Sequence, residues 1–270
     1  VQAMTHPLDA GFDPAMAQFA QDAGIAITAT VPVSALKGWN VVDSRADWCG
    51  YNGPSLLSLL EQLPTTPAEP DLSFTFPVQW VEKFHDSSDT TQGRRVFWGR
   101  VATGQVAPGQ KVKVFPSGQT AVVARVLSAT REETTGLSGH SAGVVLDREV
   151  DVSRGDWLVA EESALAPQRE LHTTLAWMDD EPLVAGRVYW ALHGHRWVKA
   201  RVQRVGHRLN VNTLAEEEAS QLEPNAIGRV TLALQEPLLT LPYTVSRVLG
   251  ALILVDTASH KTSAAALLTP

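Results

Sequence analysis

Gly99-Arg100-Val101-Ala102-Thr103-Gly104, then Val106-Ala107-Pro108-Gly109-Gln110-Lys111-Val112, then Phe115-Pro116-Ser117-Gly118: short apolar runs alternate here with Gly, Pro and Ser at close, even spacing. That rhythm builds hairpins of a small barrel. The glycines fit turns and bulges better than a phosphate cradle, because no helix start follows them. Working outward, the same pattern covers Phe74–Val81, Val96–Thr103, Gln110–Phe115, Thr120–Ala129, Ser141–Leu146 and Asp156–Val159. Alternation with period two reads as half-buried strand. Beyond Glu162–Gln168 it resumes over Glu170–Trp177, Arg187–Leu192, Arg196–Arg208, Ala226–Leu234 and Ala251–Val255, which reads as a second barrel.

The N-terminal part differs. Pro14–Ala23 has helical apolar spacing, with Met16, Phe19 and Ala20 on one face, Asp13 at N-cap and Pro14 at N1. Ile25–Val33 reads as a buried strand, and Gly53-Pro54-Ser55 opens a second helix with Leu56, Leu57, Leu59, Leu60 and Leu63 on its buried side. Helix, strand and helix form a piece of an α/β layer, too small to cover both faces of a sheet, so its missing strands are expected upstream. The three prolines of Pro64–Pro70 read as a stiff linker. The expected organisation is an α/β remnant over 1–63, a linker over 64–71, and barrels over 72–165 and 166–270.

With 44% hydrophobic and 19% charged residues, the composition is that of a globular protein. No apolar run of the roughly 18 residues a membrane helix needs occurs. The start lacks the basic and apolar regions of a signal peptide, so a cytoplasmic location is expected. It also lacks a Met at position 1, as a fragment or processed chain would. Cys49 is the single cysteine, which excludes an internal disulfide and any multi-cysteine metal site. A net charge of −7 without a basic tract disfavours nucleic-acid binding. Among possible sites, His193-Gly194-His195 reads as a hairpin turn rather than a metal pair. Glu216-Glu217-Glu218 and Asp179-Asp180-Glu181 read as solvated helix or loop. His140, between Ser138 and Ser141, lacks a paired carboxylate. The eight tryptophans read mostly as barrel core or interface, with one or two as partner contacts.

Val31-Pro32-Val33-Ser34-Ala35-Leu36-Lys37-Gly38 is similar to the last guanine-contacting loop of translation-factor-type GTPases. The following Asn40-Val41-Val42, Trp48 and Tyr51-Asn52-Gly53-Pro54-Ser55 resemble the end of the GTPase domain in the sulfate adenylyltransferase large subunit, the CysN family. Phe76–Val81, the G-R-V-x-x-G stretch quoted above, Val152–Asp156, Trp177-Met178, Val198–Val202, Val211–Leu214, Asn225–Val230 and Leu252–Asp256 continue the resemblance. It implies a mainly β chain: two consecutive barrels of the elongation factor Tu domain 2 and 3 type, preceded by an α/β remnant of a GTPase domain. It further implies a subunit that hydrolyses GTP with Mg²⁺ and couples this to formation of adenosine 5′-phosphosulfate from ATP and sulfate. The adenylyl-transfer chemistry belongs to a small partner subunit (CysD-like). Ser34, Ala35 and Leu36 are the guanine-side contacts implied, and no catalytic or metal-ligating residue is.

The departures are specific. No G-x-x-x-x-G-K-[ST] phosphate loop occurs in these residues. Gln2-Ala3-Met4-Thr5 stands where the family has Asn-Lys-x-Asp, and Gly38-Trp39-Asn40 where it has Gly-Asp-Asn. Leu249-Gly250 replaces Thr-Gly, and Ser259–Leu268 is looser than the family pattern. No bound nucleotide is therefore expected on this chain alone. The rival readings are a translation-factor-like RNA-binding module and a piece of a fused sulfate adenylyltransferase/adenylylsulfate kinase.

Overall fold

The computed structural model describes residues 14–46, 48–63, 69, 71–83 and 95–270. Gln2–Thr5, Asp13 and most of Pro64–Pro70, on which sequence expectations rest, lie outside the described residues. The chain divides into two compact units, 1–67 and 68–270.

In the first unit, α1 (Pro14–Asp22) buries Ala20 but leaves Met16 exposed. Residues 25–33 form no strand: they join no sheet among the described residues, and Ile25, Ile27 and Val33 are exposed. In α2 (Leu56–Gln62), the Ser55 hydroxyl caps the helix by accepting the Ser58 N–H at 3.2 Å. Its leucines are not a buried side: α2 has no buried residue, and Leu56, Leu57, Leu60 and Leu63 are exposed. The cause is the same in both segments. An apolar stripe is buried only by an element packed over it, and no described element covers either one.

The second unit begins with a barrel. Its strands are β1 (Thr75–Lys83), β2 (Arg95–Arg100), β3 (Gln105–Val106), β4 (Lys111–Phe115), β5 (Thr120–Leu127), β6 (Gly136–Leu137), β7 (Ser141–Leu146) and β8 (Trp157–Ala160). The order β1-β2-β7-β5-β4-β8 closes on itself, so none of these six strands is left as an open edge. Phe76, Val78, Phe97, Val112, Val123 and Val144 fill its interior from alternate positions.

The rest of the unit comprises β9 (Pro167–Trp177), β10 (Leu183–Val184), β11 (Val188–His193), β12 (Arg196–Leu209), β13 (Glu216–Glu218), β14 (Gln221–Leu222), β15 (Ile227–Leu239), β16 (Ala251–Asp256) and β17 (Thr262–Leu268). The order is β11-β16-β17-β9-β15-β12-β13, and β11 also pairs with β12, closing a second barrel with β13 outside the ring. Leu175, Trp177, Tyr189, Val198, Leu232 and Leu254 are central in its core. The stretch Ser259–Leu268, a looser match to the family pattern, contains β17, a full barrel strand whose Ser263, Ala264 and Ala266 are buried. One segment corrects the sequence reading: the acidic triplet Glu216–Glu218 is neither helix nor loop but strand β13, antiparallel to the end of β12.

Candidate functional site

The loop of Ser34, Ala35 and Leu36 is a tight turn. Trp39 O accepts the Ser34 N–H at 3.1 Å, and Ser34 O accepts the Gly38 N–H at 2.8 Å. The Ser34 hydroxyl lies 3.4 Å from the Lys37 amide. This folds the chain back and projects Leu36 into solvent, 93% exposed. The amides of Ala35 and Leu36 bond to no carbonyl among the described residues. Free N–H groups on a small-residue turn are the chemistry needed to meet a carbonyl oxygen such as guanine O6.

Asn40 anchors the turn. It is fully buried, with φ 56°. Its side-chain amide donates to Pro32 O at 3.0 Å, and its Oδ1 accepts the Arg45 N–H at 2.6 Å. The carbonyls of Asn40 and Val41 accept the Leu56 and Leu57 amides, satisfying two N–H groups at the start of α2. Beside it, Trp39 has the Lys37 ammonium 4.2 Å and the Arg45 guanidinium 4.4 Å from its ring centroid. Trp48 meets it edge-on at 5.3 Å. The Trp39 indole is thus flanked by two cations.

The second constructed region is the junction of the two barrels. Phe115, Trp157 and Val159 of the first barrel cluster with Leu239 and Leu249 of the second. The hairpin His193-Gly194-His195 between β11 and β12 presses against the first barrel. Gly194 has φ 57°, and a Cβ there would stand 2.8 Å from Trp157 Cζ2 and 3.3 Å from Pro77 Cβ. Gly155 answers from the other side, where a Cβ would meet His195 O at 2.9 Å. His193 is fully buried, and burial holds its imidazole down to about 4, against a smaller opposing effect of the bond to Leu249 O. Arg196 reaches Asp156 of the first barrel at 3.2 Å and Glu236 of the second at 2.5 Å. Desolvation raises the Asp156 carboxyl, opposed by the Ser153 amide and by Arg196.

Glu69 belongs to the same junction. Its carboxylate accepts the Ser246 hydroxyl at 2.5 Å and the Arg247 amide at 2.8 Å, both on the second barrel. Its own N–H donates to Ser138 Oγ at 3.0 Å, and its carbonyl accepts the Gly104 amide, both on the first. Its place in a proline-rich stretch carries no sequence signal for this role.

The remaining residues named from sequence are structural. Ser138 Oγ donates to Ala102 O, and His140 Nδ1 faces Ser138 O, so they make no nucleophile–base pair. Asp179 accepts the Ser263 hydroxyl at 2.8 Å. Glu216 and Glu217 lie 3.1 and 2.7 Å from His207 and Arg208. Among the described residues, no group of three His, Cys, Asp or Glu could hold a metal ion. Trp157 and Trp177 are buried, whereas Trp80 and Trp197 are 61% and 49% exposed. No helix among the described residues is long and apolar enough to cross a membrane.

Residues 170–269, spanning the second barrel, match the family model described as GTP-eEF1A C-terminal domain-like. The chain is 37% identical over 240 residues to sulfate adenylyltransferase subunit 1 of Laribacter hongkongensis, covering 88% of this chain and 48% of that one. It is a homologue of sulfate adenylyltransferase subunit 1. The bifunctional enzyme CysN/CysC of Xylella fastidiosa is 38% identical over 241 residues, covering 88% of this chain and 37% of that one. Subunit 1 of Salmonella paratyphi B is 33% identical over 232 residues, covering 86% and 47%. The chain therefore spans about half the length of the subunit 1 relatives it matches. A crystal structure of sup35 complexed with GDP superposes with TM-score 0.67 at 21% identity, covering 93% of this chain and 61% of that one. That likeness shows the elongation-factor-like fold.

Proposed function

We propose that this chain is part of the GTP-hydrolysing regulatory subunit of a sulfate adenylyltransferase. In this reading the subunit couples GTP hydrolysis to the formation of adenosine 5′-phosphosulfate from ATP and sulfate. The observation that carries it is the 37% identity to a sulfate adenylyltransferase subunit 1 over 88% of the chain. The barrels supply a rigid body that transmits a nucleotide-dependent change to a small adenylyl-transferring subunit. Ser34, Ala35 and Leu36 are proposed as guanine-side contacts, with the unbonded Ala35 and Leu36 amides directed at O6.

Alone, these residues are proposed to be inactive. Guanine-nucleotide hydrolysis in this class of fold takes phosphate-loop amides, Mg²⁺ ligands and a guanine-reading carboxylate together. The sequence contains no phosphate-loop motif. The test is reconstitution: adenosine 5′-phosphosulfate formation by the small subunit is measured with this chain and with the chain joined to a complete GTPase domain. The reading requires GTP-stimulated synthesis with the joined protein and none with this chain alone. Absence of stimulation by the joined protein would overturn it.

A further inference from the structure

The outer face of the second barrel carries a cluster of exposed cations, Lys199, Arg201, Arg204 and Arg229. β12 contains Trp197-Val198-Lys199-Ala200-Arg201-Val202-Gln203-Arg204-Val205. Strict alternation would place Lys199, Arg201, Gln203 and Val205 outside. Its register against β15 breaks between Val202 and Arg204, so Arg204 stands opposite Thr231 and Val205 returns to the core at 7% exposure. A bulge re-aims side chains in this way. Here it keeps Val205 off the outer face and puts Arg204 there instead.

Next to these, β15 contributes Arg229, opposite His207. Lys199, Arg201, Arg204 and Arg229 are exposed and form no ion pair among the described residues, whereas Arg95, Arg131, Arg187, Arg196 and Arg208 all do. Of the acidic groups near this face, Glu170 and Glu216 lie against His172 and His207, and Glu218 stands beside Arg204 without an ion pair among the described residues. Apolar surface is interleaved with the cations. Val188 stands opposite Arg201, and Trp190 opposite Lys199, whose ammonium lies 5.5 Å from its ring centroid. Two open grooves mark the face: one of about 900 Å³ beside Trp190, Lys199 and Arg201, and one of about 420 Å³ beside Arg204, Arg229 and His172.

We infer that this face docks an acidic patch of a partner protein. Resting on the function proposed above, that partner is the small adenylyl-transferring subunit. Arg and Trp at the centre of a contact are the residue types that carry most binding energy. A long polyanion would also meet the −7 charge of the whole chain. A local acidic patch meets chiefly what lies within a Debye length, about 8 Å at physiological salt.

The experiment is a calorimetric titration of this chain with the small subunit at low and moderate salt. It is repeated with Lys199→Glu/Arg201→Glu, with Arg204→Glu/Arg229→Glu, and with Lys113→Glu/Lys261→Glu as a control of equal charge change. Thermal melts confirm that each variant folds. The expected result is an affinity that falls with salt, and a loss of about tenfold or more in each of the first two variants but not in the control. If the wild type binds and both face variants bind equally well, the docking assignment is wrong and the partner reading stands. If the wild type does not bind at tens of micromolar, about −6 kcal/mol or weaker, the partner reading fails and the assignment falls with it. A parallel titration with a short RNA duplex completes the test: tight RNA binding that the face variants abolish, without small-subunit binding, overturns the protein partner in favour of nucleic acid.

Discussion

The imidazole of His193 lies nearly flat on the indole of Trp157, ring centroids 5.2 Å apart and planes 19° from parallel, and the two rings come from different barrels. Nε2 lies 3.1 Å from Leu249 O. A carbonyl only accepts, so Nε2 carries the proton and Nδ1 of the neutral ring is a lone pair. That nitrogen is buried without a partner. Protonating it would place a charge against an aromatic face in a dry junction.

A pH dependence follows. The folded-state pKa of His193 is lowered to about 4, against 6.5 for the free side chain. Between these values the unfolded chain binds a proton that the folded chain refuses, so this contribution is fully present above 6.5 and is lost as pH falls toward 4. The loss amounts to about 3 kcal/mol at most. In His193→Gln, whose amide can still donate to Leu249 O, the stability lost by wild type between these pH values is expected to shrink by that amount. Urea melts at stepped pH measure it. An unchanged slope would place the acid sensitivity elsewhere.

Arg196 is the ionic counterpart of that stack. Both it and Asp156 keep little exposed side-chain surface, 14% and 16%. Arg196→Ala strands a desolvated carboxylate and is expected to cost about 3 kcal/mol. It should also split one calorimetric transition into two, because the pair spans the barrels. A single unsplit transition at the wild-type temperature would contradict this.

Gly194→Ala tests the geometry of the hairpin. The left-handed backbone and the Cβ approach to Trp157 are expected to cost about 2 kcal/mol or more together. Gly186→Ala is the comparison. It shares a positive φ, but nothing lies within 4 Å of its Cβ position, so only the backbone part of the cost remains. Equal destabilisation of the two variants would show that the Trp157 contact carries no weight.

The 34–36 loop yields a nucleotide prediction. If, as proposed, this loop is the chain's one contribution to the guanine site, a fluorescent guanine nucleotide titrated with Mg²⁺ is expected to show no saturation below roughly millimolar. Saturation in the micromolar range would mean that another segment of the chain supplies phosphate contacts.

Both barrels were legible in the sequence because most of their strands alternate clearly, as Trp197–Val202 does, and are punctuated by turn residues. β17 escaped because Ser263-Ala264-Ala265-Ala266 offers small side chains of poor strand propensity. It is strand because β16 and β9 flank it with complementary registers. The acidic triplet misled for a related reason. Alone, three glutamates look solvated, but Arg208 and His207 on the adjacent strand lie against two of them. Ile25–Val33 shows the converse: apolar β-branched residues make a strand only where a neighbour pairs with them. The loop at Ser34 was visible as a motif, whereas Asn40 beneath it and the Trp157–His193 junction depend on contacts between distant residues, which local pattern does not encode.

Glu69 has a mechanical meaning. Its backbone is fastened to one barrel through Ser138 and Gly104, and its carboxylate to the other through Ser246 and Arg247. Tension along the chain entering at this residue is divided at once between the two barrels and cannot peel the first away while sparing the second. A Glu69→Ala chain held between optical tweezers would therefore yield in two rips where the parent yields in one.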